Sequence, residues 1–490
     1  MIKQTNANDC PYVISLSNNP QLFLDDHCVG WTINMTRQMQ PASKHTDNPI
    51  IEADYPWEQG LFGLNCPAAF YDPTSDRFRM RYSAFEKNTA TDKPQKSKYK
   101  IYLCCAESQD GFEWHKVLAD DNTKYNQPNN IVDGPWLIIH TPHDSDRPFK
   151  GLTHSKNLVT AIEFGTLGMH SMDGTNWSPP NGIHITDTKC DTISSLVWFN
   201  AVQKYFVFTR TQMWHPDLQG HLRVTGIIES RDFEHWEPKR GINLISEAEG
   251  FPYLQVHGLN VHEYGDILIG LIPMVHLQEP GNNFLGKFDI QMAISRDGWH
   301  WQRVADGDVF LPNGPENWDR WYVHSCSMVR KKDTLYYYYQ GRPQMHGAIR
   351  QMREQGVDFN STMRTDLGMA TVPADRFVAM TQKNSDELGI LDTPPIRFDG
   401  NDLLVNAELD PTDMQVELID EAGPVAQYQS KVVPGFEREY SRLVKIDDLR
   451  YKVLWSKEGT EYGLSKATDH QPLLIRFLVR KGKLFSFQVI

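Results

Sequence analysis

Apolar and polar positions along the chain alternate in short runs bounded by Asp, Asn, Pro or Gly, and sustained helical periodicity is almost absent. Five segments read as two apolar runs around a polar turn: "PAAFYDPTSDRFRMRYSAF", "WLIIHTPHDSDRPFKGL", "SLVWFNAVQKYFVFTRT", "GLNVHEYGDILIGLIPM" and "SCSMVRKKDTLYYYYQG". Each predicts a hairpin. After the first four comes a further strand-like run and then a near-copy of one unit: "ESQDGFEW", "HSMDGTNW", "ESRDFEHW" and "ISRDGWHW". The unit's serines, Ser108, Ser171, Ser230 and Ser295, are 63, 59 and 65 residues apart. A fifth strand with an Asp turn but no Trp, Thr365 to Met380, reads as a degenerate copy.

A hairpin, a third strand, a turn and a fourth strand, repeated five times, predict an all-β fold with a five-bladed β-propeller. The period exceeds that of common propeller repeats, which implies long loops between strands, a frequent mark of a binding face. Before the first module, "QLFLDDHCVGWTI" predicts an extra strand able to complete the last blade and close the ring. After Met380 the runs "RFDGNDLLVNAEL", "MQVELIDEAG", "YKVLWSK" and "PLLIRFLVRKGKLFSFQVI" lack the unit and predict a C-terminal β-sandwich. The expected division is 1–388 for the propeller and 389–490 for the sandwich.

The repeated unit invites a catalytic reading of its Asp, and its symmetry argues against one. A site needs different residues converging on one spot, whereas copies of one turn are distributed around a ring. Asp-Gly suits a tight turn, and the Trp can pack between sheets with its N–H on a carbonyl. The unit is read as scaffold.

Composition narrows the partners. The formal charge of −13 argues against a nucleic-acid backbone, and no apolar run is long enough for a membrane span. Seven Cys at irregular spacing suggest free thiols in a reducing compartment, and the N-terminus lacks the apolar core of a signal peptide. The expected location is cytoplasmic, although a secreted chain with its signal removed would read the same way.

In a propeller the first strand of each module lines the central channel, so the residues opening those strands meet at one mouth. Reading the modules in this way finds carboxylates each time: Glu58, Asp133, Asp191, Glu249 (with Glu247) and Asp319 (with Glu316). Convergent carboxylates suit glycosidic bond cleavage, one protonating the leaving oxygen and another attacking or activating water. Asp191, which abruptly precedes a clean apolar strand, is the first catalytic candidate, followed by Asp319 and Glu249. Asp25 and Asp26 are further candidates, although paired Asp at a strand end are commonly a solvated turn. Trp136, Tyr253, His257, Trp318 and Trp321 would line the sugar. Arg81, Arg210 and Arg342, at the ends of second strands, could hold hydroxyls or tune carboxylates, or pair ionically between blades. His257 and His262, five apart on a strand, would face opposite sides, so no metal is expected; no sequence motif for a cofactor occurs.

The layout from "QLFLDDHCV" through "HTDNPII", "YPWEQG" and the five modules to "LLIRFLVRKGKLFSFQV" resembles bacterial proteins related to glycoside hydrolase families 32 and 43. That resemblance implies a five-bladed propeller with a trio of acidic residues at its channel, a C-terminal sandwich, and hydrolysis of a glycosidic bond, often of a furanoside. The family 32 motifs Asn-Asp-Pro-Asn-Gly, Arg-Asp-Pro and Glu-Cys do not occur in that form; "FYDPTS" is only a faint counterpart. Two alternatives follow. A phosphorylase resembling family 130 would need a cationic phosphate pocket, for which Arg342, His324 or His346 could serve. A non-catalytic carbohydrate-binding propeller is the other. The sandwich could support the propeller or mediate homo-oligomer contacts.

Overall fold

The computed structural model describes residues 13–490 except 61, 74, 87–99, 120–124, 155–164, 187–194, 238–239, 243, 246, 280–284, 357–362, 421–430 and 471. The chain divides into two compact units. One comprises residues 41–303 and 307–372, the other residues 1–40, 304–306 and 373–490.

Among the described residues, the first unit holds five antiparallel sheets. Blade I runs Leu64–Asp72, Arg77–Phe85, Ile101–Ser108 and His115–Lys116, and blade II runs Leu137–His140, Phe149–His154, Thr166–Ser171 and Ser178–Thr186. Blade III runs Ser195–Phe199, Lys204–His215, Gly220–Ser230 and Arg240–Ile242. Blade IV has an interrupted inner strand, Leu254–Val256 and Asn260–Tyr264, then Ile267–Leu277, Gly286–Ser295 and an interrupted outer strand, Trp301–Arg303 and Val309–Leu311. Blade V runs Tyr322–Lys331, Thr334–Arg342 and Asp366–Pro373. The inner strands of I and II, II and III, III and IV, IV and V, and V and I are in contact, which closes the ring. Cores between blades are apolar, as in the cluster of Phe206, Phe208, Ile227, Leu268, Ile272 and Met274 between blades III and IV.

Ring closure differs from expectation in one element. The fourth strand of blade V is Ser43–Lys44, paired with Ala370 and Thr371, and not "QLFLDDHCVGWTI". Within that run Gln21–Leu22 pairs with Ser486 and Phe487, and Trp31–Ile33 pairs with Ile390–Asp392, both in the second unit. Residues 378–382, expected in the propeller, also belong there, pairing with Met35–Met39. This explains the degenerate fifth copy. After Pro373 the chain leaves the blade, so no fourth strand follows and no Trp is needed to seat one.

The second unit contains two sheets, one built around Leu473–Val479 and the other around Leu403–Glu408 and Lys483–Val489. Both contribute to a single apolar core that includes Leu391, Val405, Leu418, Trp455, Phe477 and Phe487.

The repeated unit is a turn at the outer side of the blade, anchored by its buried Ser. Ser295 Oγ accepts the Gly298 N–H at 2.9 Å, and Asp297 Oδ1 accepts the Trp299 and His300 N–H groups, each at 2.8 Å. Trp301 Nε1 then donates to the Gly298 carbonyl at 3.0 Å. The Ser and Asp bonds recur around Ser108, Ser171 and Ser230, and the Trp bond recurs at Trp114 and Trp236 but not at Trp177. The fourth position has a positive φ of 86°, 75° and 84° at Gly111, Gly174 and Gly298, which glycine adopts freely. Phe233 takes that place in the third copy at φ 70°, and its ring is buried against Tyr205 and Trp236.

Candidate functional site

Strand alternation fixes which end of the ring is the mouth. The beginnings of first and third strands and the ends of second strands lie together, opposite the Ser-Asp-Gly turns. At that end, blades III, IV and V bring Arg210, Arg223, Arg342, His257, His324 and His346 together. Arg210 and Arg223 lie on the second and third strands of blade III, His257 interrupts the inner strand of blade IV, and His324 opens that of blade V. Arg342 ends the second strand of blade V, and His346 bridges back to Gly286 of blade IV. His257 and His324 are 67 residues apart, one repeat, so they hold corresponding places in successive blades.

The cluster is held by its own hydrogen bonds and by rings. Arg210 Nη1 donates to His257 Nε2 at 3.5 Å, and His257 Nδ1 lies 2.8 Å from His324 Nε2. A guanidinium can only donate, so neutral His257 carries its proton on Nδ1 and donates it to His324 Nε2, leaving the His324 proton on Nδ1. The His346 ring lies 5.1 Å from His257, and Phe288 packs 5.0 Å from His257 and 5.2 Å from His324. The Arg342 guanidinium stacks 3.9 Å from the centroid of Tyr322, itself stacked on His324. Arg342 Nε is buried with no hydrogen-bond acceptor among the described residues.

The electrostatics match. Burial, reinforced by Arg223, His324, His346 and Arg210, holds His257 well below the usual imidazole range. Burial with His346, Arg342, Arg210 and Arg223 does the same to His324. Burial and the Arg210 charge lower Arg223 to about 9. Like charges gathered in a desolvated place raise one another's cost, and an anion seated among them would relieve it.

The remaining predicted residues lie elsewhere or face other partners. Asp191 lies outside the described residues. Asp319 is fully buried, with Oδ2 accepting from Lys44 Nζ at 2.5 Å and from Tyr339 OH at 3.1 Å. Burial raises its carboxyl, opposed by Lys44, and burial lowers the Lys44 amine, opposed by Asp319. Glu249 is exposed and pairs with Arg303 at 2.8 Å. Glu58 turns into blade I, where Lys116 Nζ donates to it at 2.6 Å and Tyr82 OH at 2.9 Å. Arg81 and Asp133 do meet, but between blades I and II. Arg81 Nη1 donates to the Pro135 carbonyl at 2.6 Å and the Asp133 carbonyl at 3.4 Å, beside a cavity of about 420 Å³. Trp136 packs with the apolar cluster of blades II and III. Trp318 stacks on Tyr339 and fits over two glycines; a Cβ at Gly341 would come within 2.2 Å of its ring. Trp321 is half-buried under the Arg320 guanidinium, and its carbonyl accepts the Phe288 N–H at 3.0 Å. Tyr253 is exposed on the blade IV rim. Asp25 accepts the His27 N–H, and Asp26 pairs with Arg37, as in a turn. His262 accepts the Met328 N–H at 3.2 Å.

Of the residues singled out for the hydrolytic reading, therefore, His257, Arg210 and Arg342 come together. They do so with the His324 and His346 named for the phosphorolytic one. Arg223 was missed. Its signal was its register: it stands opposite Gln212 on the face of the hairpin that carries Arg210.

Comparison with protein-family models and with curated protein sequences gives no match. Among solved structures, the chain is similar to a β-1,2-mannobiose phosphorylase from Listeria innocua (11% identity, TM-score 0.45, covering 70% of this chain and 98% of that one). It is also similar to a glycosyl hydrolase from Bacteroides ovatus (14%, TM-score 0.45, 69% and 95%) and to an N-acetylgalactosamine deacetylase from F. plautii (12%, TM-score 0.45, 70% and 96%). At such identity the function has to be argued from the residues of the site.

Proposed function

We propose that this chain is a carbohydrate-active enzyme that cleaves a glycosidic bond with inorganic phosphate at the mouth of its propeller. One observation carries the reading: three arginines and three histidines from blades III, IV and V converge there, all buried except the half-buried His346. Arginine forks match phosphate oxygens, and desolvation strengthens each such contact. A phosphate oxygen would bond to the anomeric carbon as the glycosidic C–O bond breaks. The leaving oxygen takes the electron pair and a proton from a carboxylic acid, giving a sugar 1-phosphate and a shortened saccharide. Asp191 remains the carboxylic acid assigned to that proton transfer. The hydrolytic alternative asks a second carboxylate, Asp319 or Glu249, to act with Asp191, and each of those two is held by its own cation, Lys44 and Arg303.

The test is a panel of aryl glycosides and oligosaccharides incubated with and without phosphate, followed by phosphorus NMR. A phosphomonoester that forms with wild type, and is lost with Arg342→Met and Asp191→Asn, is expected. Free reducing sugar formed at the same rate without phosphate would establish hydrolysis instead.

A further inference from the structure

The long hairpin of blade III continues past the cationic cluster toward the solvent. Directly opposed residues share a face of a sheet, as do alternate residues along a strand. One face therefore carries Arg210 opposite Thr225, then Gln212 opposite Arg223, then Trp214 opposite His221. Burial falls along this ladder. Arg210 and Arg223 are buried, Gln212 is exposed, and Trp214 is 54% exposed, with the His221 ring 5.1 Å from its own. An exposed Trp on the same face as two buried arginines, at the tip of a strand, is not explained by packing. The blade IV rim flanks the hairpin: Gln255 Oε1 accepts the Arg223 N–H at 3.4 Å, and Tyr253, two residues earlier, is 54% exposed.

From this placement we infer that Trp214, with His221 beside it, is a stacking subsite for a sugar ring of an oligosaccharide whose reacting end lies at Arg210 and Arg223. The inference rests on the phosphorolytic reading for what lies at the arginines. The spacing fits such an occupant. His221 and Arg223 are two residues apart, about 7 Å along a strand, on the scale of one pyranose ring. A ring spanning one rung would present its C–H face to the indole while its linkage reaches toward the cationic pocket. The substrate class is thus an oligosaccharide in preference to a simple glycoside, with the second or third sugar over Trp214. Met213, 41% exposed, points to the opposite face of the same strand and makes an internal control.

The experiment titrates wild type, Trp214→Ala and Met213→Ala with manno-, xylo-, arabino- and fructo-oligosaccharides of two to five units, and separately with inorganic phosphate, by calorimetry. Both variants change exposed side chains and should fold as wild type does. At least one oligosaccharide should bind wild type and Met213→Ala alike, bind Trp214→Ala about three- to tenfold more weakly, and gain affinity with length. Phosphate binding should be the same in all three proteins. Equal oligosaccharide affinity for Trp214→Ala and wild type, or no binding of any member of the panel, would overturn the subsite. Trp214-dependent sugar binding without phosphate binding would instead overturn the phosphorolytic reading and leave the subsite standing.

Discussion

Lys44→Met isolates the contact that fastens the closing strand of the ring to the loop before the inner strand of blade V. The Lys44 side chain is 16% exposed and that of Asp319 only 1%, and Lys44 Nζ also donates to the Gly314 carbonyl at 2.6 Å. Methionine keeps the apolar stem and removes the charge, leaving a buried carboxylate whose Oδ1 already has no partner among the described residues. Breaking a buried pair in this way costs about 3–5 kcal/mol, and the partial exposure of Lys44 places the expected loss near the lower figure, about 3 kcal/mol. The pH dependence has a definite sign. Burial already raises the Asp319 carboxyl, and without Lys44 it rises further. A carboxyl raised in the folded state binds its proton more tightly there than in the unfolded chain. Its favourable contribution is complete below the unfolded value of about 3.9 and is lost as pH rises through the folded value. The deficit of Lys44→Met against wild type should therefore be smaller near about pH 5 than near about pH 8, by about 1.4 kcal/mol for each further unit the carboxyl rises. Adding Asp319→Asn should recover part of the loss and remove its pH dependence. Urea unfolding followed by tryptophan fluorescence at both pH values measures all of this. A loss below about 1 kcal/mol that is equal at both pH values would refute a buried, Lys44-paired carboxylate.

The repeated turn allows a comparison within one molecule. Trp301 Nε1 donates to Gly298, whereas Trp177 Nε1 is buried and finds no acceptor among the described residues. Trp301→Phe should cost about 1 kcal/mol more than Trp177→Phe in the same unfolding assay. The cluster at the mouth should respond to pH through its histidines. Neutral His257 and His324 are held well below the usual range, and an anion bound beside them raises both. Sulfate, which does not itself titrate near neutrality, should bind more tightly as pH falls from about 8 to about 5.5, roughly tenfold for each unit by which binding lifts one imidazole above about pH 5.5. Calorimetry across that range checks it, and a flat profile would mean the imidazoles take up no proton when the anion binds.

The repeat carried most of the fold. Its serines set the ruler that located the hairpins, because a blade that buries both faces imposes the same strand lengths and the same turn each time. Ring closure escaped because Ser43–Lys44 is only two residues long, too short for a periodicity signal, while the stronger run "QLFLDDHCVGWTI" drew attention and pairs in the other unit. The site was half legible. Looking for carboxylates at strand beginnings led to the mouth, yet Glu58 and Asp319 turn away from it toward Lys116 and Lys44, which a single strand's sequence does not reveal. What does converge is basic, and it depends on register between strands: Arg223 opposite Gln212, His257 one repeat from His324. Trp214 went unremarked because a Trp near a hairpin tip looks like any other until its face is known.

The most direct test of the account is a calorimetric titration of wild type and Arg342→Met with inorganic phosphate near neutral pH. Arg342 is buried at the mouth, stacked on Tyr322, with its Nε free of any described acceptor. Saturable binding to one site in wild type, weakened about tenfold or more in Arg342→Met, is the expected result. Failure of wild type to bind phosphate, or equal binding by the two proteins, would contradict the claim that the mouth of this propeller is a phosphate site.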